Sequence, residues 1–508
     1  MPLVFLFVIL LLLIPGLAFL FLRSERIRNA WLFALLAIVA VLFVLLIGGS
    51  HEEVVEFALW QVTRTWVLFA GFNLPAPIQV LAAAVLVRGL VNLTAMMSGS
   101  IRVTSKQVGQ LLLLLGFTLA GLVASNSLAL VLMWMLFDAA FIFRARSTGR
   151  PFLRCLLTGA ASIGFLIAGS VVETAAIAHP DAAFLQPSVA KGFLIIAAFL
   201  RLIAGRWLLP GGDHEGRRVE DREYAMYGAL AWALLVRSIP FGFTTTGFSV
   251  VVLLLSLLGF GGSLFSGRGD ERRWWVRLCQ LAIMLVGTLL PAEVQSVYFA
   301  AAGVLWVLTL NEMVDETGWS RWAYLILPLS QVGLPFTAGG IMVAALFSVE
   351  STPISLLLAG AFGMGGSSLL TWRVWKNLRQ QQTEGERLET AFHLAGVALV
   401  GLVLIYAGWR LGYTLNTGPV ILGGALVVLT FALGVVVQPS PEWMETGRSI
   451  LVGGKRIQRR ARGMLTGLLQ SYSYVVGLVS DILEGDGGTL WIIIFVLIGM
   501  LTLRSQGA

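Results

Sequence analysis

The residues that could do chemistry here are the few polar side chains set inside apolar runs. Asp138 interrupts LVLMWMLFDAAFIF, and Arg201 lies in GFLIIAAFLRLIAG. Arg88 and Asn92 sit one turn apart in LAAAVLVRGLVNL. A charge in the bilayer interior costs at least about 2.5–3.5 kcal/mol on insertion scales, so each is expected to find a partner, a water pocket or a route to the interface. For Arg88 and Asn92 the expected partner is a neighbouring helix. Other chemistries lack their residues. The cysteines, Cys155 and Cys279, stand far apart, and the four histidines are scattered, so no metal site is expected. There is no dinucleotide fingerprint, iron–sulfur cysteine run or haem ligand pair, so no cofactor is expected either.

The elements that must position these residues are membrane helices. Of 508 residues, 57% are hydrophobic and only 12% charged, against about 25% charged in soluble domains. That leaves too little polar surface for a water-exposed fold. Apolar stretches of roughly 20 residues, long enough to cross a bilayer, recur along the chain. They fall at 3–22, 31–47, 78–97, 109–124, 128–143, 155–177, 192–209, 224–239, 248–265, 276–291, 297–311, 322–347, 354–373, 391–409, 418–437 and 490–503. The fold class is therefore an all-α polytopic membrane protein with about sixteen transmembrane helices. The first stretch has no basic region before it and reads as a retained helix rather than a cleaved signal.

Loop charge sets the orientation. Loops after odd-numbered stretches hold 27 of the 35 lysines and arginines, and those on the other side hold five. Odd-numbered loops are thus expected in the cytoplasm and both termini outside, in a cell membrane. The same pattern accounts for the net charge of +8 without nucleic acid. Two stretches are not spans. Residues 48–77, with His51, Glu52, Glu53 and Glu56 ahead of a short β-like run, read as an outward loop within the N-terminal unit 1–108. Residues 441–486 mix basic residues with Ile450, Leu451, Ile457, Leu465 and Leu469, and read as an amphipathic helix on the cytoplasmic membrane surface. The last span lies within 490–508.

Four motifs, in order, carry a family resemblance. A polar turn at Asn126 leads into an aliphatic helix with Trp134. FLRLIAGRWLLP covers 199–210, GDERRWWVRLCQLAIMLVG covers 269–287, and QVGLPFTAGG covers 331–340. Together they resemble the antiporter-like membrane subunits of respiratory complex I, Mrp sodium/proton antiporters and membrane-bound hydrogenases, over roughly residues 60–437. The resemblance implies two inverted five-helix repeats, 109–239 and 248–373, followed by helices at 391–437. It also implies a broken helix in each repeat, with breakers Gly205 and Pro210 in the first and Gly333, Pro335, Gly339 and Gly340 in the second. Other membrane subunits of a multisubunit complex and the lipid bilayer are the implied partners. The amphipathic stretch takes the place of that family's lateral helix.

The family moves protons through a buried Glu and several Lys residues, and this sequence departs from it at each such position. Met135 stands where the Glu is expected. Ala198 or Phe199, the run AMYGALAWALLV and the vicinity of Val343 stand where the Lys residues are expected. Asp138 and Arg201 each lie three residues further on, on nearly the same face. They are expected to form a buried ion pair where the family has Glu–Lys, the alternative being that each charge finds water or the interface alone. Arginine stays protonated, so such a pair suits a fixed electrostatic lock better than a relay. The implied function is a divergent antiporter-like subunit of an NADH-quinone oxidoreductase-like or ion-translocating complex, with its central proton path impaired or absent. The alternatives are a component of inorganic-carbon or cation uptake, or a non-conducting structural subunit. No catalytic residue is assigned.

Overall fold

In hydrocarbon there is no water to satisfy backbone N–H and C=O groups, so apolar runs close their hydrogen bonds internally as helices. The computed structural model describes residues 2–21, 27–48, 51–61, 67–98, 104–147, 152–178, 187–204, 214–237, 246–265, 270–308, 326–347, 352–377, 387–411 and 417–436. These form α1 (Pro2–Phe21), α2 (Ile27–Ile47), β1 (His51–Gln61), β2 (Val67–Leu74), α3 (Ala76–Ser98), α4 (Ser105–Val123), α5 (Ser127–Ser147) and α6 (Phe152–Ala178). They continue as α7 (Pro187–Ala204), α8 (His214–Arg237), α9 (Thr246–Phe265), α10 (Asp270–Thr288), α11 (Ala292–Leu308) and α12 (Ile326–Gln331). The last are α13 (Ala338–Phe347), α14 (Ile354–Asn377), α15 (Arg387–Arg410) and α16 (Thr417–Val436). The amphipathic stretch 441–486 and the last span expected at 490–503 lie outside the described residues.

Among the described residues, five helices carry apolar windows of 18 or 19 residues: Ala30–Ile47, Ala76–Thr94, Ser105–Val123, Gly247–Leu264 and Ile354–Trp372. The chain is a helical membrane protein. Where a helix touches lipid, the pattern shows it. In α9, Val250, Val251, Leu254 and Leu258 are exposed while Val252, Ser256 and Phe260 are buried. In α3, by contrast, residues 78–93 are buried on every side, as expected of a helix apolar all round. It packs against α2, α4, α8, α11 and α15. Its polar residues pin these neighbours. Gln79 Nε2 donates to Leu45 O at 2.6 Å, Arg410 Nε donates to Gln79 Oε1 at 3.1 Å, and Trp31 Nε1 donates to Leu93 O at 3.1 Å.

The stretch read as an outward loop holds an antiparallel hairpin, β1 against β2, with Glu56 opposite Gly71 and Ala58 opposite Phe69. Its β2 strand docks on the α4–α5 turn. Phe72 pairs with Ala124, and Ser125 N donates to Gly71 O at 2.8 Å. A side chain at Gly71 would meet Ser125 Oγ at 2.6 Å. Asn126 then starts α5 as its N-cap, Oδ1 accepting from Ala129 N at 2.9 Å.

Arg237, in the last turn of α8, clamps this junction. Its guanidinium donates to Asn73 Oδ1 (2.5 Å), Asn73 O (3.3 Å) and Leu122 O (2.9 Å). The carbonyl of Leu122 belongs to the C-terminal turn of α4, where a cation is favoured by the helix dipole. Hydrogen bonds from a charged donor contribute about 1.5–3 kcal/mol. Arg237→Met keeps the apolar stem and removes all three bonds. It is expected to lower stability by about that much and to speed amide exchange in Val67–Leu74. Unchanged exchange there, measured by mass spectrometry, would show that the hairpin is held without the clamp.

Candidate functional site

Four consecutive helices, α5 to α8, meet around the guanidinium of Arg201. Leu130, Trp134, Phe137, Asp138 and Phe141 form the buried stripe of α5. The spacing of three and four residues is that of one helix face. Arg201 comes from the last turn of α7, where its charge also complements the helix dipole. Its Nη2 donates to Asp138 Oδ2 at 2.8 Å, with the Arg201 side chain fully buried and that of Asp138 11% exposed. The rings of Trp134 and Tyr227 lie 4.0 and 4.4 Å from the guanidinium carbon, and Phe137 lies 5.9 Å away. Such cation–π contacts strengthen when desolvated, to about 2 kcal/mol or more. Phe137 and Phe141 in turn pack on Tyr227, at 5.6 and 5.8 Å between centroids.

Helix α6 closes the cluster. A Cβ at Gly159 would stand 2.6 Å from Asp138 Oδ2 and 3.1 Å from Tyr227 Oη, so only glycine leaves room for the carboxylate. Ser162 Oγ, one turn on, donates to Ala197 O at 3.1 Å and fixes α6 on α7. Asp138 and Arg201 are thus in contact. Met135 and Asp138, expected on nearly one face, part company. Three residues on a helix leave an offset of about 60°, enough to leave Met135 53% exposed and Asp138 8%. Ala198 is buried, as is Arg201.

Arg88 and Asn92 belong to α3, outside this cluster, and are 0% and 2% exposed. Gly205 and Pro210 lie outside the described residues. Sequence reasoning places Trp134 in a motif, and Tyr227 falls in the run AMYGALAWALLV. The spacing of Trp134, Phe137 and Phe141 about Asp138 is the available signal for an aromatic cage. Gly159 carries no signal, because only the approach of α6 reveals it.

The chain breaks between α12 and α13. The stretch 322–347 is two helices, α12 and α13, separated at 332–337. Gly333, with φ +97°, takes the left-handed position that ends α12. Its N–H donates to Ser330 O at 2.9 Å, and Leu334 N donates to Leu329 O at 3.1 Å, the paired bonds of a Schellman motif. Pro335 lies within the gap. Thr337 then caps α13, accepting from Gly340 N at 3.4 Å and donating to Leu334 O at 2.6 Å. Gly339 and Gly340 lie in the first turn of α13, inside the helix, where they let it press against the end of α12. A Cβ at 339 would fall on the Ser330 carbonyl. The break is tied to α14 by Ser368 Oγ donating to Pro328 O (2.9 Å) and by Thr371 Oγ1 donating to Gln331 Oε1 (2.9 Å). Val343, near the position of the family's lysine, is buried, and its Cγ2 fills the space beside Gly333.

The fold compares closely with known membrane complexes. A chain of the Mrp complex from Dietzia sp. matches at 13% identity and TM-score 0.67, over 99% of this chain and 63% of that one. A chain of the membrane-bound sulfane sulfur reductase, an archaeal respiratory membrane complex, matches at 13% identity and TM-score 0.60, over 97% and 99%. The protein has the fold of the antiporter-like membrane subunits. A chain of respiratory complex I from Thermus thermophilus also matches, at 16% identity and TM-score 0.56, over 80% of this chain and 98% of that one. No family model and no curated protein matches by sequence. At these identities the likeness is one of fold. The chain spans about two-thirds, 63%, of the Mrp-complex chain it matches.

Proposed function

We propose that this chain is a divergent antiporter-like subunit of a multisubunit ion-translocating membrane complex, in which the central proton path is interrupted. The observation that carries this reading is the Asp138–Arg201 pair, 2.8 Å apart and caged by aromatic rings. A relay residue must exchange protons, and buried lysine suits the task because burial pulls its pKa down. Arginine does not release its proton in proteins. The pair therefore acts as a fixed electrostatic contact holding α5 to α7.

Packing supports the two inverted repeats. In the first, α4 packs on α5 and α8, and α6 on α7. In the second, α9 packs on α10 and α14, and α11 on α13. Five spans per repeat would invert the second copy, in keeping with the alternation of loop charge that puts both termini outside. Helix α8 joins the repeats through α11. The partners are the membrane subunits that flank such a protein in its complex.

The test is proton flux in proteoliposomes holding the purified chain, driven by a potassium diffusion potential and read with a pH-sensitive dye. Flux no faster than in protein-free liposomes is expected. Rapid, potential-driven acidification would overturn the interrupted path. Purification of the native complex identifies the companion subunits.

A further inference from the structure

The second repeat holds a small cavity where the first holds the Arg201 cluster. If α5, α7 and α8 correspond to α10, α12–α13 and α14, as in the proposed repeat, the counterparts of the cluster are Gln280, Gln331 with Met342, and Ser367. These residues line one cavity together with Trp232 from α8 and Trp306 from α11, with about 20 Å³ of space. The charged cluster of one half is thus matched by a neutral polar hole in the other.

The lining is not satisfied by the protein. Gln280 is 6% exposed, Trp232 1% and Trp306 7%. Gln280 Oε1 and the two indole Nε1 atoms are buried and have no hydrogen-bond partner among the described residues. Gln331 Oε1 is already taken by Thr371. An unsatisfied buried polar group costs about 1–3 kcal/mol. Three such atoms on residues that line one hole would be a heavy burden in a region whose packing is otherwise close. The tightness is plain nearby: the nitrogen edge of the Trp306 indole stands against Gly228, and the base of the Trp232 side chain, its Cβ and Cγ, against Gly303, neither of which leaves room for a Cβ.

We propose that this cavity is a binding site for a single water molecule. A hole must offer on the order of 10–15 Å³ to water-sized probes and two to four polar partners to hold one water. This one offers the volume, and its lining residues Gln280, Gln331, Ser367, Trp232 and Trp306 supply the polar groups from which such partners come. The water oxygen accepts from indole N–H groups, which only donate, and a water hydrogen goes to Gln280 Oε1, which only accepts. None of the lining residues Gln280, Gln331, Ser367, Trp232 and Trp306 titrates near neutral pH, so the water has no side chain there with which to exchange a proton. The site borrows the repeat correspondence for its place in the fold, but its occupancy does not depend on whether protons move.

Two measurements on the full chain in lipid nanodiscs test it. A map that resolves ordered water is expected to show one peak in the cavity, within hydrogen-bonding distance of Gln280 Oε1 and of an indole nitrogen. Gln280→Met, close in volume but with no acceptor, is expected to lower the thermal unfolding midpoint, because the water loses a partner. In a dry cavity the same change relieves an orphaned carbonyl and raises the midpoint. An empty cavity in the map, or a raised midpoint, overturns the proposal. Should Gln280→Met fail to fold, the map of the unaltered protein decides. Proton flux in proteoliposomes bears on the interrupted path alone, so the two readings fail separately.

Discussion

Asp138→Asn is expected to destabilise the protein by about 3–5 kcal/mol, the cost of stranding a buried charge by removing its partner. Arg201 has nowhere else to place its charge. Its side chain is fully buried, and its Nε and Nη1 have no hydrogen-bond partner among the described residues. Asparagine fills the same space and still offers an oxygen, so packing is kept while the charge is lost. Arg201→Gln strands Asp138 in the same way and also empties the cage between Trp134 and Tyr227. The double variant removes both charges, and its loss is expected to be smaller than the sum of the single losses by well over 1 kcal/mol, as close coupling requires. Denaturant midpoints in nanodiscs read all three. Additive losses would mean that each charge is stabilised independently and would remove the basis for a fixed contact between α5 and α7. Arg201→Lys is informative beside them. It keeps the charge but loses the planar group that stacks on two rings, so partial recovery relative to Arg201→Gln separates the ion pair from the cation–π contacts.

What could be read from the sequence follows from which physics is local. The membrane class was legible because burial in lipid demands long apolar runs and excludes charge. The break at 332–337 was legible because its signals are local: Gly333 supplies the left-handed φ and Pro335 cannot continue a helix. Its capping residue Thr337 follows the same logic, since a threonine just ahead of a helix start is an ordinary N-cap signature. The contact between Asp138 and Arg201 spans 63 residues. It was reachable only because the resemblance set both helices in register, since no single apolar run says which neighbour it packs on. The hairpin was half legible. The stretch after Glu53 and Glu56 suggested a β-like run, but its docking on Ala124 and Ser125 depends on pairings of Phe72 and Gly71 across more than 50 residues, and the clamp from Arg237 on pairings 115 and 164 residues apart in sequence. Gly159, Gly228 and Gly303 matter through what approaches them from another helix, and spacing along one chain segment does not record that.

Glycine substitutions turn this distinction into an expected reversal of sign. Gly339→Ala places a methyl on the Ser330 carbonyl, where the obstacle is backbone rather than a flexible side chain. Overpacking costs about 1–3 kcal/mol when neighbours can yield, and more when they cannot. Here relief requires α12 and α13 to separate, which would pull on the bonds from Ser368 and Thr371 that hold the break to α14. A loss of about 3 kcal/mol or more is therefore expected. At Gly401 in α15 and Gly424 in α16, an added Cβ would meet nothing within 4 Å. Alanine at either is expected to stabilise by about 0.5–1 kcal/mol, through the lower entropy of the unfolded chain and better helix propensity. Unfolding midpoints of the three variants, set against the unaltered protein, should fall on both sides of it. If Gly339→Ala matched the other two, the ends of α12 and α13 could not be in the contact described, and the break would lose its structural definition. The same packing bears on the proposed interruption of the proton path. A helix opened by Gly333 and Pro335 exposes backbone that could hold water or an ion, yet the glycines and Val343 close that space again. On the proposed reading, packing and the lack of titratable groups among the described residues there would block the same route by independent means.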